Sequence, residues 1–392
     1  MRFDFNSSDW PALFRSRDNG SELFQSLVDN TPVLNLDLGW ALSQGHIADA
    51  PTPTADDGSA TFRIESSKLE AAPLMDLRAP LGESQQMDAE GAEEYVASIP
   101  DFIARGWTET AAQRAYKERM YAQLGNTDRI IANWIEKVLL RGLNSAKSTL
   151  NQIGAQLATK GKADYKGLGA GIYAKLHDAR IPAENFVKAG AKTWTDPACK
   201  ILTQMRKIED NYRDKRGGYS GALTWRMTKN MYVNTFLQNQ EVRDLYASWC
   251  KANYIAYVDG MPITNEQFLQ SFTDIQGISP IEIVTEKERN KTRTTDTMVQ
   301  GWADNIAVLR PAGDMFEFKY ANVLEREMYT KYGAKSIDTT FATMLNGLVT
   351  AMNTTTDNGR LQEWHTDVMM SATPALLSFT NHVIVNTANA GE

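Results

Sequence analysis

The sequence predicts an α+β fold organised around one long helix. Apolar residues recur every three or four positions over residues 126–160, which is the spacing of one face of a helix. Over residues 191–349, segments with helical spacing alternate with short apolar runs that are typical of strands, such as IEIV at 281–284. A last apolar run, VIV at 383–385, predicts one more buried strand near the end of the chain.

The long helix is predicted from a continuous line of apolar or small residues. This line consists of Ile131, Ile135, Val138, Gly142, Ala146, Leu150, Ile153 and Leu157. A helix over residues 126–160 would extend about 50 Å at 1.5 Å per residue. Asn126 or Thr127 can cap its start, and Gly161 can end it. Since Gly142 costs about 1 kcal/mol relative to alanine inside a helix, two shorter helices are the alternative.

Composition indicates a folded protein of two or three domains. The chain has 392 residues, of which 42% are hydrophobic and 23% are charged. Its net charge of −7 argues against a nucleic-acid-binding surface as the main role. No apolar run reaches the roughly 18 residues that span a membrane, and no signal peptide is recognisable, so we expect a soluble cytoplasmic protein. Cys199 and Cys250 are predicted to be reduced core residues.

Residues 1–90 are predicted to lack a core of their own. Residues 1–54 hold short apolar clusters between polar turns, which predicts an N-terminal arm. Residues 55–90 are predicted to form a long extended loop, because apolar and charged residues alternate at its start and prolines follow at 73 and 80. Loops of this length are usually functional or disordered. A disordered tail is the alternative, but the apolar content favours packing on something outside the subunit.

Residues 91–124 are predicted to hold two helical pieces. The first, over residues 93–105, is broken at Pro100. The second begins with a cap at Thr108 and ends before Gly125. Its predicted inward side chains are Ala112, Tyr116 and Met120.

A mixed helix and strand region is predicted from about residue 191. Asp196 and Pro197 suggest a helix start, and a helix from 228 to 246 is expected to break at Asn239. The charged run at 207–216 is predicted to be a solvated helix end. Further strands are predicted at 223–227, 305–313 and 316–320, with a charged hairpin tip or a loop at 285–297. The strand at 383–385 is expected to return to the first domain.

The sequence predicts no catalytic residue, no cofactor and no metal site. The histidines stand far apart, at 46, 177, 365 and 382, and no pair has a metal-binding helix spacing. Gly167, Gly169 and Gly171 form a GxGxG pattern without the strand and acid of a dinucleotide site, so a glycine-rich turn is the better interpretation. Neither a nucleophile elbow nor a phosphate-binding loop motif is present. These observations argue against an enzyme.

The order of these parts resembles the major capsid proteins of tailed bacteriophages, which have the Hong Kong ninety-seven capsid fold. The segment FRIESSKLEAAPLMDLRAPLG at 62–82 looks like the extended loop of that family, and the helix at 126–160 looks like its spine helix. Segments 268–288 and 302–320 are similar to the family's two strands around a charged loop. Segment 361–379 resembles the family's late segment, with Thr-Pro ahead of the final strand.

The resemblance implies a major capsid protein that self-assembles as hexamers and pentamers into an icosahedral phage head around double-stranded DNA. Its parts would be an N-terminal arm (1–54), an extended loop (55–90), a peripheral domain (91–190) with the spine helix, a mixed α/β axial domain (191–349) and return strands (350–392) to the peripheral domain. Implied partners are copies of itself, scaffolding and portal proteins, and weakly contacted packaged DNA, without a membrane. The protein would assemble in the host cytoplasm and reside in the virion.

The resemblance also implies that the arm and the loop lie across neighbouring subunits. The expected inter-subunit contacts are Phe62, Ile64, Lys68, Leu69, Leu74, Met75, Leu77, Arg78 and Leu81. Lys68 is the only lysine of the loop, so it is the candidate for the covalent cross-link that some members form. A tail-tube or sheath subunit is the first alternative. A soluble enzyme with an unfamiliar site in residues 191–349 is the second.

Overall fold

Two β-sheets organise the chain in its computed structural model. The described residues are 10–16, 19–32, 34, 39–55, 59–69, 92–123, 129–164, 176–258, 260, 262–269, 277–284, 288–291, 296–299, 301–332, 338–357 and 362–390. The strands are β1 Gly45–Ile47, β2 Ala60–Ser66, β3 Glu93–Ile99, β4 Asp101–Glu109, β5 Lys162–Ala163, β6 His177–Asp178, β7 Phe186–Ala189, β8 Leu223–Thr228, β9 Ile281–Val284, β10 Glu288–Lys291, β11 Asp296–Val299, β12 Ile306–Pro311, β13 Phe316–Tyr320, β14 Asp338–Met344, β15 Val349–Asp357, β16 Gln362–Leu376 and β17 Val383–Ala390.

Helices pack on both sheets. They are α1 Gly20–Asp29, α2 Gly39–Ser43, α3 Ala111–Gln123, α4 over residues 129–160, α5 Ile201–Asp214, α6 over residues 229–236, α7 Gln240–Ala252 and α8 Leu324–Tyr332. Short 3-10 turns occur at Ala12–Phe14, Ala183–Asn185 and Phe379–Asn381. The mixed helix and strand content agrees with the predicted α+β class.

The first sheet has six strands in the order β1-β13-β16-β15-β14, and β4 also pairs with β16. We call this sheet, helices α1 to α4 and the hairpin β2–β3 the six-stranded body. The second sheet has five strands in the order β7-β17-β12-β8-β9. We call this sheet and helices α5 to α7 the five-stranded body. The chain passes between the two sheets three times, between β4 and β7, after β12 and after β16.

The predicted spine helix, α4, is confirmed from Arg129 onwards. Arg129–Trp134 is α-helical, Ile135–Leu139 forms a π-helical turn, and Leu140–Lys160 continues as α-helix. Gly161 ends the helix as predicted, with φ of 67° and its N–H donating to the carbonyl of Leu157 at 2.9 Å. The predicted caps at 126 and 127 lie outside the described residues.

Gly142 does not divide the spine helix, so the alternative of two shorter helices is wrong. The residue lies where α4 crosses β16. A Cβ atom at this position would lie 2.5 Å from Cβ of Val368. Glycine is therefore required by the close approach of helix and strand.

The N-terminal residues 10–43 belong to the core of their own chain, which corrects the prediction of an arm that packs elsewhere. Phe14 stacks on Trp364 with ring centroids 4.2 Å apart, and Trp10 lies edge-on to Trp134 at 5.3 Å. The hydroxyl of Thr340 donates to the carbonyl of Leu13 at 2.6 Å. The partners of this segment are distant in sequence, so local patterns could not reveal them.

The helical piece predicted over residues 93–105 is wrong, because this segment forms β3 and β4. Tyr95, Ala97 and Ile99 are buried at every second position of β3, which is the period of a strand. Pro100 separates the two strands. β4 then pairs antiparallel with β16, and a bulge interrupts the register beside Asp367.

Helix α3 begins after Thr110 rather than at Thr108. The N–H of Thr110 donates to Oε1 of Gln113 at 3.0 Å, and the N–H of Gln113 donates back to the Thr110 hydroxyl at 3.4 Å. Ala112 and Tyr116, predicted to point inward, are exposed, and Met120 is half-buried.

The five-stranded body contains the predicted strands β8, β9 and β12. Its central strand β12 is buried on both faces. Ile306 and Val308 join the hydrophobic cluster of the spine helix, whereas Ala307 and Leu309 join the cluster of α5 to α7. The hairpin of β10 and β11 agrees with the predicted charged hairpin at 285–297.

The last strand corrects the expected domain boundaries. β17 does not return to the first domain but pairs with β12 and β7 in the five-stranded sheet. Conversely, β13 and β14, which fall inside the predicted axial domain, belong to the six-stranded sheet. β15 and β16 lie in the six-stranded sheet, where β16 pairs with β4.

Helix starts in the five-stranded body depend on capping between elements. Asp196 forms a turn with Ala198, and α5 begins later, at Ile201. The N–H of Leu202 donates to the carboxylate of Glu241, which lies on α7, at 2.8 Å. The predicted break at Asn239 is confirmed, because this residue caps α7.

The charged run at 207–216 is not simply a solvated helix end. Glu209 is buried, and its carboxylate accepts hydrogen bonds from the indole of Trp225 and from the N–H and hydroxyl of Ser279. Arg216 is also buried. Both side chains connect α5 to other elements of the fold.

Candidate functional site

The sequence-predicted contact residues lie on the hairpin of β2 and β3 and on the segment between these strands. β2 pairs antiparallel with β3 from Ala60 opposite Ile99 to Ser66 opposite Glu93. The two ends of the connecting segment therefore leave the body side by side. Residues 70–91, which hold Leu74, Met75, Leu77, Arg78 and Leu81, lie outside the described residues.

Phe62 and Ile64 are part of the chain's own core. Each is only 5% exposed. The ring of Phe62 lies edge-on to Tyr95 at 6.2 Å and to His177 at 5.7 Å. Little of the surface of either side chain remains accessible to a neighbouring subunit. The two residues were predicted as contacts because this segment was expected to have no core, and that reason is wrong.

Lys68 and Leu69 are the last described residues before segment 70–91. Nζ of Lys68 lies 3.6 Å from a carboxylate oxygen of Glu184, and both side chains are partly exposed. Such an exposed ion pair contributes little to stability. The N–H of Leu69 donates to Oδ1 of Asn381 at 2.9 Å. We call residues 67–69 the root of the loop. Residues of the same chain hold this root in place.

The turn at Phe379–Asn381 forms the other side of this root. It connects β16 of the six-stranded sheet with β17 of the five-stranded sheet. Thr380 and Asn381 are buried, and their side chains bond to the main chain at residue 67. Nothing in the local sequence, a polar pair between two apolar runs, singles these residues out.

Two buried histidines adjoin the root and are neutral near pH 7. Burial lowers the pKa of His177 to about 4, although nearby Asp178 opposes this effect. Burial and the charge of Arg310 lower the pKa of His382 to about 3. Nε2 of His382 lies 2.7 Å from the carbonyl of Ala158 and donates to it. These groups serve packing and hydrogen bonding.

Exposed apolar side chains follow α7. Tyr254 is 99% exposed and has a positive φ of 55°, and Ile255 and Val258 are also exposed. A surface patch of this kind is typical of association with another molecule. One feature of the sequence could have indicated this exposed segment, namely an apolar run that has neither helical nor strand periodicity. The remaining exposed large apolar residues among those described are Val96, Ile103, Tyr116, Leu176, Phe186, Val233, Ile283 and Met328.

A cavity of about 70 Å³ lies in the six-stranded body, between β4, α3 and α4. Its lining includes Trp10, Trp107, Trp134 and Glu109, and Glu109 pairs with Lys117 at 2.5 Å. The volume is far below the roughly 300 Å³ of a small-molecule pocket. Within the described ranges, no cluster of His, Cys, Asp and Glu could hold a metal ion. Cys199 and Cys250 are free and buried.

None of the helices in the described part of the chain is long and apolar enough to cross a membrane.

Comparison of the structure with solved structures identifies the fold. A prophage protein of Escherichia coli CFT073, described as its capsid protein, superposes with a TM-score of 0.50. The match covers 93% of this chain and 98% of that one, with 11% sequence identity. The chain has the fold of this prophage protein. The resemblance of the sequence to phage capsid proteins therefore predicted the fold correctly.

Two further matches are more distant. A phage-related protein from Bordetella bronchiseptica RB50 has a TM-score of 0.45 and 11% identity, with 94% and 96% of the two chains covered. The capsid of Myoviridae phage XM1 has a TM-score of 0.39 and 10% identity, with 88% and 90% covered. No protein-family profile and no curated protein sequence matches the chain.

Proposed function

We propose that the chain is a major capsid protein, whose copies assemble as hexamers and pentamers into an icosahedral phage head around double-stranded DNA. The observation that carries this proposal is the likeness to the prophage capsid protein over nearly the full length of both chains. The exposed apolar residues at 254–258 support it, because association would remove them from water.

In this proposal the two bodies take different places in the shell. The five-stranded body is the axial domain and lies near the local symmetry axes, where residues 254–258 meet neighbouring copies. The six-stranded body with α4 is the peripheral domain and forms the edges of each capsomer. The segment 70–91 lies across a neighbouring subunit and supplies the contacts Leu74, Met75, Leu77, Arg78 and Leu81.

The proposal extends to the remaining partners. Scaffolding and portal proteins would take part in assembly in the host cytoplasm, and the finished subunit would reside in the virion. The net charge of −7 repels DNA phosphates, so contact with the packaged DNA is weak. A role in building the shell requires no cofactor and no catalytic residue.

Electron microscopy and sedimentation of the purified full-length chain test this function. The expected result is closed shells that form as the protein concentration rises. Open tubes would indicate a tail-tube or sheath subunit instead. A discrete small oligomer at every concentration, also in the presence of the scaffolding protein from the same phage genome, would overturn the proposal.

A further inference from the structure

The side-chain amide of Asn381 pairs with the main chain where it leaves β2. Its Oδ1 accepts from the N–H of Leu69 at 2.9 Å, and its Nδ2 donates to the carbonyl of Ser67 at 2.8 Å. An extended chain exposes the N–H and C=O groups of alternate residues on one edge, and a neighbouring strand normally pairs with them. Here a single side-chain amide pairs with the main chain at Ser67 and Leu69, just beyond the end of β2.

Thr380 strengthens the same contact. Its hydroxyl donates to the carbonyl of Ser67 at 3.0 Å. It lies 2.7 Å from the hydroxyl of Ser66 and 3.2 Å from Nδ2 of Asn381, from which it can accept. Asn381 is only 1% exposed. Burial of such a polar side chain is stable only when its hydrogen bonds are made. These hydrogen bonds therefore fix the geometry of the contact.

The five-stranded body holds the turn from the opposite side. Arg216 donates from Nε to Oδ1 of Asn381 at 3.3 Å and from Nη2 to the carbonyl of Thr380 at 3.2 Å. Asn185 donates to the same carbonyl at 2.8 Å, and the hydroxyl of Tyr212 donates to the carbonyl of Asn381 at 3.3 Å. The turn is therefore fixed independently of the segment that it binds.

The strand that follows the segment is bonded to the same crossover. The N–H of Leu376, the last residue of β16, donates to the hydroxyl of Tyr95 on β3 at 2.8 Å. Leu69 before the segment and β3 after it are thus both bonded to residues 376–381, where the chain passes from one sheet to the other.

We propose that Thr380 and Asn381 are positioning residues that set the direction in which segment 70–91 leaves the subunit. This inference rests on the proposed function, because the segment would then reach a neighbouring subunit at an angle that the crossover dictates. A change in the angle between the two bodies would be transmitted to the segment through the same bonds. Thr380 and Asn381 thereby link the angle between the two bodies of one subunit to the contact that segment 70–91 makes with a neighbouring subunit.

Hydrogen exchange at the amide of Leu69 tests the contact itself. Asn381→Ala removes both bonds, and we expect this amide to exchange roughly fivefold faster, as the loss of one net hydrogen bond predicts. Asn381→Asp keeps the acceptor for Leu69 and Arg216 but loses the donor to Ser67, so the Leu69 amide should stay protected. Unchanged exchange in Asn381→Ala would overturn the proposal.

Assembly of the same variants tests the positioning role. Asn381→Ala should give fewer closed shells, or shells of altered diameter, at protein concentrations where the wild type assembles fully. Asn353→Ala is the matched control, because Asn353 is equally buried and bonded to Thr366 and Leu13 but lies away from the loop root. It should lower thermal stability by a similar amount and leave shells unchanged.

Two results separate this inference from the proposed function. Wild-type protein that never forms shells would contradict the function, while the Leu69 exchange still tests the contact. Wild-type protein that forms shells while Asn381→Ala forms them with the same yield and diameter would contradict the positioning role. If Asn381→Ala does not fold, Thr380→Val, which keeps the volume and loses the bonds to Ser66, Ser67 and Asn381, takes its place in the assembly experiment.

Discussion

Arg310 and Glu209 are buried charged side chains, and each is held by several hydrogen bonds. The guanidinium of Arg310 donates to the carbonyls of Asp314 at 2.7 Å and Met315 at 3.4 Å, within the turn that connects the two sheets. Burial lowers the pKa of Arg310 to about 9. Glu209 is held by three donors in the same way. Such groups are costly to bury alone, so their bonds fix how elements meet.

The Gly142 contact predicts the result of a small substitution. We expect Gly142→Ala to lower the free energy of unfolding by about 1–3 kcal/mol, although alanine favours helix, because the added methyl group meets Val368. Asn144→Ala, on the exposed side of the same helix, is the control and should change stability by less than about 0.5 kcal/mol. Urea unfolding measures both. A stabilised Gly142→Ala protein would show that the helix can move away from β16.

The low pKa of His177 predicts a pH dependence of stability. The unfolded chain binds a proton near pH 6.5, whereas the folded chain does so only near pH 4. Between these values the unfolded state holds more protons, so stability falls as the pH decreases. We expect His177→Phe to remove this contribution, which is about 1.4 kcal/mol for each pH unit within that window.

Urea unfolding at pH 7 and pH 5 tests the His177 contribution. The difference between the two pH values should be about 2 kcal/mol smaller in His177→Phe than in the wild type. His46→Gln is the control, because His46 is half-exposed. His382 contributes in the same direction in every variant. An equal pH dependence in His177→Phe and the wild type would contradict the assignment.

At the scale of elements, the sequence predicts those helices and strands that have a clear periodic spacing of apolar residues. The spine helix and strands β8, β9 and β12 have clear apolar spacing, and Gly161 and Asn239 carry recognisable end signals. The hairpin of β2 and β3 was recognised only in its first strand. Its second strand, with Tyr95 and Ala97 inward, lies beside Pro100, and the sequence predicts a broken helix there instead.

The loop root could not be predicted from local pattern, because it depends on distant partners. Leu69 and Asn381 are 312 positions apart. The same applies to Phe14, whose stacking partner is Trp364. A short apolar cluster near the start of a chain does not indicate whether it packs on its own subunit or on a neighbouring one. The prediction that the N-terminal segment packs on a neighbouring subunit is therefore wrong.

The hairpin geometry sharpens the test of the loop. Replacement of residues 70–91 by a short glycine-rich turn should leave the free energy of unfolding within about 1 kcal/mol of the wild type, since the paired ends already lie together and loop length has a small effect. Shell formation should be lost. Sedimentation and urea unfolding measure the two properties.

Deletion of residues 62–82 is the contrasting variant for this test. It removes the buried Phe62 and Ile64 as well as part of the loop, and should destabilise the subunit itself. Closed shells from the 70–91 replacement would show that the segment does not bridge subunits.

At the scale of the whole molecule, the order of elements was the most informative feature of the sequence. The prophage protein shares this fold at 11% identity, so few individual residues carry the likeness. The resemblance gave the fold correctly, but not the exchange of strands between sheets. β17 in particular joins β12 and β7, a pairing that no composition or period can specify.

The position of β17 predicts the effect of truncation. This strand lies between β7 and β12 inside the five-stranded sheet. A chain ending at residue 382 should lose the far-ultraviolet and near-ultraviolet circular dichroism of the folded protein, because both neighbours lose a partner and the core is opened. A chain ending at residue 390 should match the wild type. A folded, soluble protein ending at 382 would contradict the central role of β17.

The pairing of the first and last parts of the chain has a consequence for biosynthesis. Phe14 and Trp364 are made roughly 20–70 s apart at about 5–20 residues per second. During that time the early aromatic side chains lack their final partners and are exposed to aggregation. Ribosome-bound chains stalled at residue 361 should therefore recruit a chaperone that recognises apolar segments, and released full-length chains should not. Equal chaperone recruitment by the stalled and the released chains would show that the nascent N-terminal segment is already buried before its final partners are made.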